Sequence, residues 1–210
     1  MLIEVYSDIA CPWCYIGERR LERALAARPE IQAECHWRPF QLQPDLPREG
    51  MPWRDLIDAK FGGAARAETI VARVAEAGAP DGIDFRFDRM TIAPNTRDAH
   101  RLIAYAAGQG REWPMALALF AAHFTEGRDV GDRDELVAIA ASAGLDPEAT
   151  RAYLASDAGV TEVDEGQEDA YARGVQGVPL YVFNGKYALS GAQPIEVFHE
   201  VFDVVLADYS

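Results

Sequence analysis

The sequence predicts an α/β fold in which a large all-helical insertion interrupts a mixed strand-and-helix unit. Three observations lead to this prediction. A strand–helix–strand pattern occupies about the first 40 residues, helical periodicity runs through residues 51–171, and a hairpin followed by a helix closes the chain. The chain has 210 residues, 49% of them hydrophobic and 26% charged, which is enough to bury a substantial core in one large domain or two intertwined ones.

The opening segment predicts a β-α-β unit. An apolar run within residues 1–7 has the length of a strand. From Pro12 onward apolar residues recur at helical spacing, charged residues such as Glu18 fill the remaining positions, and Pro29 ends the helix. A second strand is predicted over residues 31–38. Because such a unit favours a right-handed crossover, we expect the two strands to be parallel.

The middle of the chain predicts helices alone. Residues 51–171 contain helix-capping patterns, among them a cap at Asn95 or Thr96 and a capping box formed by Asp132 with Glu135. No strand is predicted in this segment. We interpret its apolar stripes as the core of a helical subdomain rather than as a cofactor site.

The end of the chain predicts a hairpin and a last helix. Asn184-Gly185 separates two apolar runs, at residues 180–183 and 186–189, and this dipeptide is a strong hairpin signal. Pro194 then begins an amphipathic helix.

The order of these elements predicts the domain arrangement. A β-α-β unit, a helical insertion and a final α-β-β-α unit have the order of a thioredoxin-like fold interrupted after its second strand. We therefore predict a discontinuous thioredoxin-like domain at residues 1–40 and 160–210, with an α-helical insertion domain at residues 41–159.

Charge and cysteine content argue against several function classes. The chain has 34 acidic and 20 basic residues, and its formal charge of −14 repels nucleic acids and anionic lipid surfaces. We expect no membrane-spanning helix and no export leader, because neither pattern is present. Three cysteines do not form the even-numbered framework of a secreted protein, so we expect a reducing, cytoplasmic environment. The sequence does not determine the oligomeric state.

A Cys-Pro-Trp-Cys motif begins the first predicted helix. Cys11 and Cys14 are three residues apart, so their side chains share a helix face and are close enough to form a reversible disulfide. The positive end of the helix dipole favours a thiolate at Cys11, which makes this residue the expected nucleophile. Cys14, one turn deeper, is the expected resolving thiol with a higher pKa. Pro12 and Trp13, which separate the cysteines, are expected to contact the substrate.

Two other uses of this motif fit the sequence less well. Cys35 and His36 could complete a zinc site, but adjacent strand residues point to opposite faces and do not easily bind one ion. Haem attachment requires histidine where Tyr15 stands. We predict no metal site, and we interpret Cys35 as a small buried hydrophobe. His100 is interpreted as a structural histidine or one that orients groups near the dithiol.

Five segments carry further motifs. They are residues 7–17 (SDIACPWCYIG), 37–42 (WRPFQL), 94–96 leading to 99–102 (PNT and AHRL), 124–127 (FTEG), and 177–179 through 190–193 (GVP and SGAQ). In this order, and over nearly the whole chain, they resemble the DsbA family and in particular its FrnE-like cytoplasmic branch.

The resemblance implies both a fold and an active site. It implies a thioredoxin fold with an inserted helical domain, a catalytic pair at Cys11 and Cys14, and a cis-Pro179 loop facing that pair. The backbone of Val178 would then offer strand-like hydrogen bonds to a substrate peptide.

A related branch contains the kappa-class glutathione transferases and the 2-hydroxychromene-2-carboxylate isomerases. Asn95 and Thr96 match a segment that approaches the active site in those relatives, so we predict them as substrate contacts. The relatives typically have serine at the position of Cys11, and the cysteine here favours disulfide chemistry.

The expected function is thiol–disulfide exchange with protein or small-molecule thiols and disulfides. Cys11 attacks, and Cys14 resolves the mixed disulfide. No metal or nucleotide cofactor is expected, and glutathione or another thiol is the expected redox partner. Two alternatives stay open: a glutathione-dependent isomerase or transferase acting on a small aromatic molecule, and an interaction protein whose partner binding is switched by the redox state of the cysteines.

Overall fold

The structure, a computed structural model, describes residues 1–208. The last two residues of the predicted segment 160–210, numbers 209 and 210, lie outside the described residues. In chain order the helices and strands are β1 (Leu2–Ser7), α1 (Pro12–Ala26), β2 (Glu34–Pro39), β3 (Met51–Pro52), α2 (Trp53–Phe61), α3 (Ala64–Gly78), β4 (Ile92–Ala93), α4 (Arg97–Ala107), α5 (Glu112–Ala121), α6 (Arg133–Ser142), α7 (Pro147–Ala155), α8 (Val160–Ala172), β5 (Leu180–Phe183), β6 (Tyr187–Ser190) and α9 (Ile195–Ala207).

A four-stranded sheet in the order β2-β1-β5-β6 forms the frame of the fold. β1 and β2 are parallel, while β5 is antiparallel to both β1 and β6. The predicted parallel pair and the predicted hairpin are therefore confirmed. The hairpin turns at Asn184 and Gly185, whose φ angles of 47° and 67° are the positive values that a tight two-residue turn requires. The observed strand β2 begins at Glu34, three residues after the start of the strand predicted at residues 31–38. Residues 31–33 precede β2 and are not part of a strand.

The segment between β2 and β5 is helical with one exception. Two residues of β3 pair with two of β4 in a short antiparallel ladder, and the sequence analysis did not predict this pair. Strands of two residues are too short to leave an alternating apolar pattern, and their partners are far apart in sequence. Within residues 1–208, no helix has both the length and the apolar character needed to cross a membrane.

The largest hydrophobic core joins the insertion to the helix that carries the cysteines. Cys14 and Ile16 of α1 belong to the same buried cluster as Met115 and Phe120 of α5. The ring of Tyr15 stacks on that of Phe120, with centroids 5.2 Å apart and an interplanar angle of 6°. The opposite face of α1 packs on α9 in a second cluster. The predicted boundaries at residues 40 and 160 remain a proposal, since the two parts share this core.

Candidate active site

The sheet topology brings two distant segments to one edge. β1 ends at Ser7, and the chain then turns into α1. Since β5 is antiparallel to β1 and Leu180 pairs with Tyr6, the residues before β5 lie beside the residues that follow β1. Cys11 and Pro179, which are far apart in sequence, therefore meet at this edge.

Cys11 lies at the start of α1 and faces the loop before β5. Its backbone is extended and it occupies the N-cap position, with Pro12 as the first helical residue. Its Sγ donates a hydrogen bond to the carbonyl oxygen of Val178 across 3.7 Å. The peptide bond between Val178 and Pro179 is cis, as the resemblance implies. The predicted nucleophile thus lies against the backbone that is expected to hold a substrate peptide.

Cys14 lies one helical turn deeper and is fully buried, whereas Cys11 is 5% exposed. Both are free thiols. Burial raises the pKa of Cys14 well above its usual value, and hydrogen bonding and charge interaction with Cys11 raise it further. Hydrogen bonds from the Ser7 side chain and the backbone of Asp8 act in the opposite direction. The direction of this shift agrees with the higher pKa expected of Cys14, and the role of Cys14 as the resolving thiol stays a prediction.

A buried carboxyl group that was not predicted from the sequence lies near this pair. Glu18 is fully buried, and its Oε1 accepts a hydrogen bond from Ser7 Oγ across 2.7 Å. Burial raises the pKa of Glu18 to about 8, the hydrogen bond from Ser7 lowers it, and the charge of Glu112 raises it. A signal was present, because Cys14, Glu18 and Leu21 follow one another at helical spacings of four and three and so share a face.

A second buried network holds the turn between β1 and Cys11. Asp8 accepts hydrogen bonds from the backbone N–H of Leu42 across 2.7 Å and from His100 Nε2 across 3.3 Å. His100 Nδ1 accepts from the indole N–H of Trp37 across 3.0 Å, so the imidazole carries its proton on Nε2. Burial by itself would raise the pKa of Asp8, but the hydrogen bonds that it accepts, first among them that from His100, lower it below the usual value. His100 thus links Trp37 to Asp8, in the turn that precedes Cys11.

Asn95 and Thr96 lie at the start of α4. Asn95 Oδ1 accepts from the backbone N–H of Arg97 across 3.0 Å, and its Nδ2 donates to the carbonyl oxygen of Leu46 across 2.7 Å. Thr96 is buried and hydrogen bonds to Asp8. Thr96 therefore occupies the N-cap position, without a side-chain cap hydrogen bond, and supports the Asp8 network. Asn95, one residue earlier, satisfies the N–H of the first helical residue. Substrate contact by either residue remains a prediction.

An apolar groove of about 300 Å³ opens beside Cys11 and Pro12. Trp13, 42% exposed, stands at its rim on the α1 side. The insertion supplies most of the opposite lining, including the aromatic side chains of Trp53, Phe61 and Phe87. The surface beside Cys11 is therefore apolar and is formed by both aliphatic and aromatic side chains.

Besides Cys11, two titratable side chains line this groove. Lys60 lies 5.9 Å from the ring centre of Phe61. His123 is buried, and burial lowers its pKa to about 4, so its imidazole is neutral near pH 7. The groove thus carries one positive charge, that of Lys60, among its lining residues.

The third cysteine lies apart from the pair, in β2. Cys35 is half-buried, and burial together with the charges of Glu18 and Glu112 raises its pKa to about 12. Such a thiol is a poor nucleophile, in agreement with its interpretation as a small hydrophobe. Within residues 1–208, no group of three or more His, Cys, Asp and Glu side chains is placed to hold a metal ion.

Comparisons with known proteins identify the family of this chain. The family described as DSBA-like thioredoxin domain matches residues 2–203. A crystal structure of a probable DsbA oxidoreductase from Streptomyces coelicolor is 36% identical, covers 99% of this chain and 90% of its own, and superposes with a TM-score of 0.91. The protein YwbO of Bacillus subtilis is 25% identical over 94% of both chains.

A more distant similarity concerns the fold alone. The cytosolic disulfide reductase DsbM of Pseudomonas aeruginosa, solved with GSH, is 20% identical over 96% of this chain and 98% of its own, with a TM-score of 0.68. The expectation of the DsbA family and of a thioredoxin-like fold is confirmed, and the FrnE-like branch is consistent with these similarities. The chain belongs to the family of DSBA-like thioredoxin domains.

Proposed function

We propose that this protein is a thiol–disulfide oxidoreductase that exchanges disulfides through Cys11 and Cys14. The observation that carries the proposal is the position of Cys11, which begins α1 and hydrogen bonds to Val178 next to Pro179. A substrate peptide paired with the Val178 backbone would present its sulfur beside this thiol. Family membership supports redox activity of this kind.

In the proposed reaction, the thiolate of Cys11 attacks a substrate disulfide and one substrate sulfur leaves with the electron pair. Cys14 then attacks Cys11 Sγ, which forms the internal disulfide and releases the second substrate sulfur as a thiolate. The substrate is reduced by two electrons and the cysteine pair is oxidised by two. The reverse sequence oxidises a substrate dithiol. Pro12, Trp13 and the apolar groove supply the substrate contacts in this proposal.

Three cysteine variants test the assignment in a dithiol-coupled disulfide reduction assay. Cys11→Ser should abolish turnover. Cys14→Ser should form a mixed disulfide on Cys11 that mass spectrometry detects as a covalent adduct, because the resolving thiol is missing. Cys35→Ala is the matched control and should keep wild-type turnover. Full turnover by Cys11→Ser would disprove the mechanism.

We further propose that glutathione or another small thiol exchanges electrons with this pair in a reducing, cytoplasmic compartment. The DsbM structure with GSH supports a thiol partner for a protein of this fold. The reduction potential sets the direction of exchange, and about 30 mV corresponds to a tenfold change in equilibrium. Titration of the Cys11/Cys14 pair against glutathione measures that potential and assigns oxidation, isomerisation or reduction as the favoured direction.

A glutathione-dependent isomerase or transferase is the second candidate, because the groove beside Cys11 has aromatic walls suited to a small aromatic molecule. Saturable glutathione binding without disulfide turnover would favour this candidate. A partner protein whose affinity follows the redox state, again without turnover, would instead indicate a redox-switched interaction protein.

A further inference from the structure

A polar cavity of about 340 Å³, within the size range of small-ligand sites, adjoins the apolar groove. Leu46 lines both, so the two are neighbours. The charged side chains that line the cavity, which we call the arginine pocket, are those of Arg48, Arg97, Arg101, Arg133, Asp98 and Asp157. Four positive and two negative side chains leave this wall with a net charge of +2, in a chain whose formal charge is −14.

A single carboxylate holds three of the four arginines. Asp98 Oδ1 accepts a hydrogen bond from Arg101 across 2.6 Å, and its Oδ2 accepts one from Arg133 across 2.7 Å. Arg48 comes only within 3.8 Å of the same Oδ2. Burial by itself would raise the pKa of Asp98, but the hydrogen bonds from Arg133 and Arg101 lower it below the usual value, so Asp98 is charged near neutral pH. One negative charge cannot neutralise three guanidinium groups.

Three of the arginines are accessible to a ligand. Arg101 is not among them, because it is 1% exposed and donates to four backbone carbonyl oxygens between residues 153 and 158. The side chains of Arg48, Arg97 and Arg133 are 65%, 41% and 33% exposed. Arg97 makes an ion pair with Asp164, but its Nε is buried and has no hydrogen-bond partner among the described residues. Donors are therefore left over in the arginine pocket.

The helices around the arginine pocket add to its positive potential. Arg97 is the first residue of α4, Arg133 is the first residue of α6, and Val160, which also lines the pocket, is the first residue of α8. The N-terminus of a helix carries a partial positive charge, which favours anions and disfavours cations. Arginine at the first position of two helices is therefore unfavourable unless an anion is bound nearby.

A second polar cavity shares Arg48 and Arg133 with the arginine pocket but has the opposite charge. Four carboxylates line it, those of Glu49, Asp129, Asp132 and Asp134. This excess of negative charge repels an anion, and the Asp132 side chain already caps α6. An anion held by Arg48 and Arg133 is therefore expected on the side of Arg97.

We propose that the arginine pocket binds the phosphate group of a soluble small molecule, a phosphate monoester or a diphosphate. Guanidinium groups form paired hydrogen bonds with both carboxylates and phosphates. A carboxylate offers two oxygens in one plane, whereas a terminal phosphate offers three oxygens that point in different directions. Arg48, Arg97 and Arg133 come from three separate segments of the chain, and this arrangement suits the phosphate.

Isothermal titration calorimetry with inorganic pyrophosphate at low ionic strength tests the site. The wild type should bind one pyrophosphate per chain with a Kd below about 1 mM. Arg48→Gln and Arg97→Gln should each weaken binding about 10-fold, because each removes a charged hydrogen-bond donor. Arg48→Lys should recover only part of this loss, since lysine cannot form the paired bonds. Arg173→Gln is the matched control, because Arg173 is 56% exposed and pairs with Asp169 away from the pocket.

A variant that should gain affinity guards against loss of binding through misfolding. Asp157→Asn removes a negative charge from the wall of the arginine pocket and should tighten pyrophosphate binding about 3-fold. Asp203→Asn, which changes the net charge equally but lies on α9, should bind pyrophosphate as the wild type does. Citrate carries a similar negative charge on carboxylates alone and should bind about 10-fold more weakly than pyrophosphate.

The results that would overturn the proposal are specific. Absence of saturable pyrophosphate binding, or binding that Arg48→Gln and Arg97→Gln leave unchanged, would show that the arginine pocket is not an anion site. Equal affinity for citrate and pyrophosphate would overturn the assignment of a phosphate. Cys11→Ser should bind pyrophosphate as the wild type does, so the pocket is tested independently of the proposed disulfide exchange.

Discussion

Replacement of Glu18 by glutamine should change how the stability of the protein depends on pH. Burial raises the pKa of this carboxyl from 4.5 to about 8 in the folded protein. The folded state therefore holds the Glu18 proton to higher pH than the unfolded state does. Its contribution to stability is complete below about pH 4.5 and is lost as the pH rises through about 8. At about 1.4 kcal/mol for each pH unit, this interval corresponds to a loss of about 5 kcal/mol in the free energy of unfolding.

Urea unfolding of the reduced protein, followed by tryptophan fluorescence from about pH 5 to about pH 9, measures this effect. Glu18→Gln keeps the size of the side chain and an oxygen that accepts from Ser7, but it cannot ionise. We expect the free energy of unfolding of the variant, relative to the wild type, to rise by up to about 5 kcal/mol over this range. Other titrating groups are common to both proteins and cancel in the difference. Glu22→Gln, at a surface position of the same helix where the side chain is 40% exposed, is the control. A difference between Glu18→Gln and wild type that is constant with pH would refute the reasoning.

Two further residues allow predictions of stability. Burial lowers the pKa of His123 from 6.5 to about 4, because the folded protein disfavours the protonated imidazole. As the pH falls from about 7 to about 4, the free energy of unfolding of the wild type should therefore decrease by about 3 kcal/mol more than that of His123→Gln. Equal acid sensitivity of the two proteins in urea unfolding would contradict this. Phe120→Ala should lower the free energy of unfolding by about 3–5 kcal/mol, because the ring is fully buried and stacks on Tyr15. Phe120→Leu should lower the free energy of unfolding by a smaller amount, because it keeps more of the buried side chain. A decrease below about 1 kcal/mol for Phe120→Ala would mean that this contact contributes little to stability.

The sequence predicted the elements with strong local signals. The Asn184-Gly185 turn and the proline at the start of α1 lie where they were expected, because positive φ angles and helix N-termini each select few residue types. The short β3–β4 ladder could not be predicted, since it joins Met51–Pro52 to Ile92–Ala93 and depends on contacts across the insertion. The start of β2 was predicted too early for a similar reason, because the strand is defined by its parallel, non-local pairing with β1. Residues 31–33 include apolar residues that continue the pattern of the strand but lie outside this pairing.

The two cysteines of the candidate site were predicted from the sequence, whereas the buried carboxyl group of Glu18 was not. Spacing and the position at the start of a helix indicated Cys11 and Cys14, and the structure places Cys11 against the backbone of Val178 and buries Cys14 completely. Glu18 was read as one of the charged residues on the solvent side of α1, because charged residues on an amphipathic helix are normally exposed. That rule fails here because α1 is covered on two faces, by the insertion on one and by α9 on the other.

The shared core links substrate selection to thiol chemistry. Aromatic residues of the insertion line the groove beside Cys11, and Phe120 of α5 belongs to the same buried cluster as Cys14. Burial is the largest cause of the raised pKa of Cys14, and that burial depends on both α1 and the insertion. A change in the insertion that widened the groove would therefore also admit water toward Cys14 and lower its pKa. Under the proposed function, a substitution in the insertion that changes the groove is therefore expected to change the pKa of Cys14 as well.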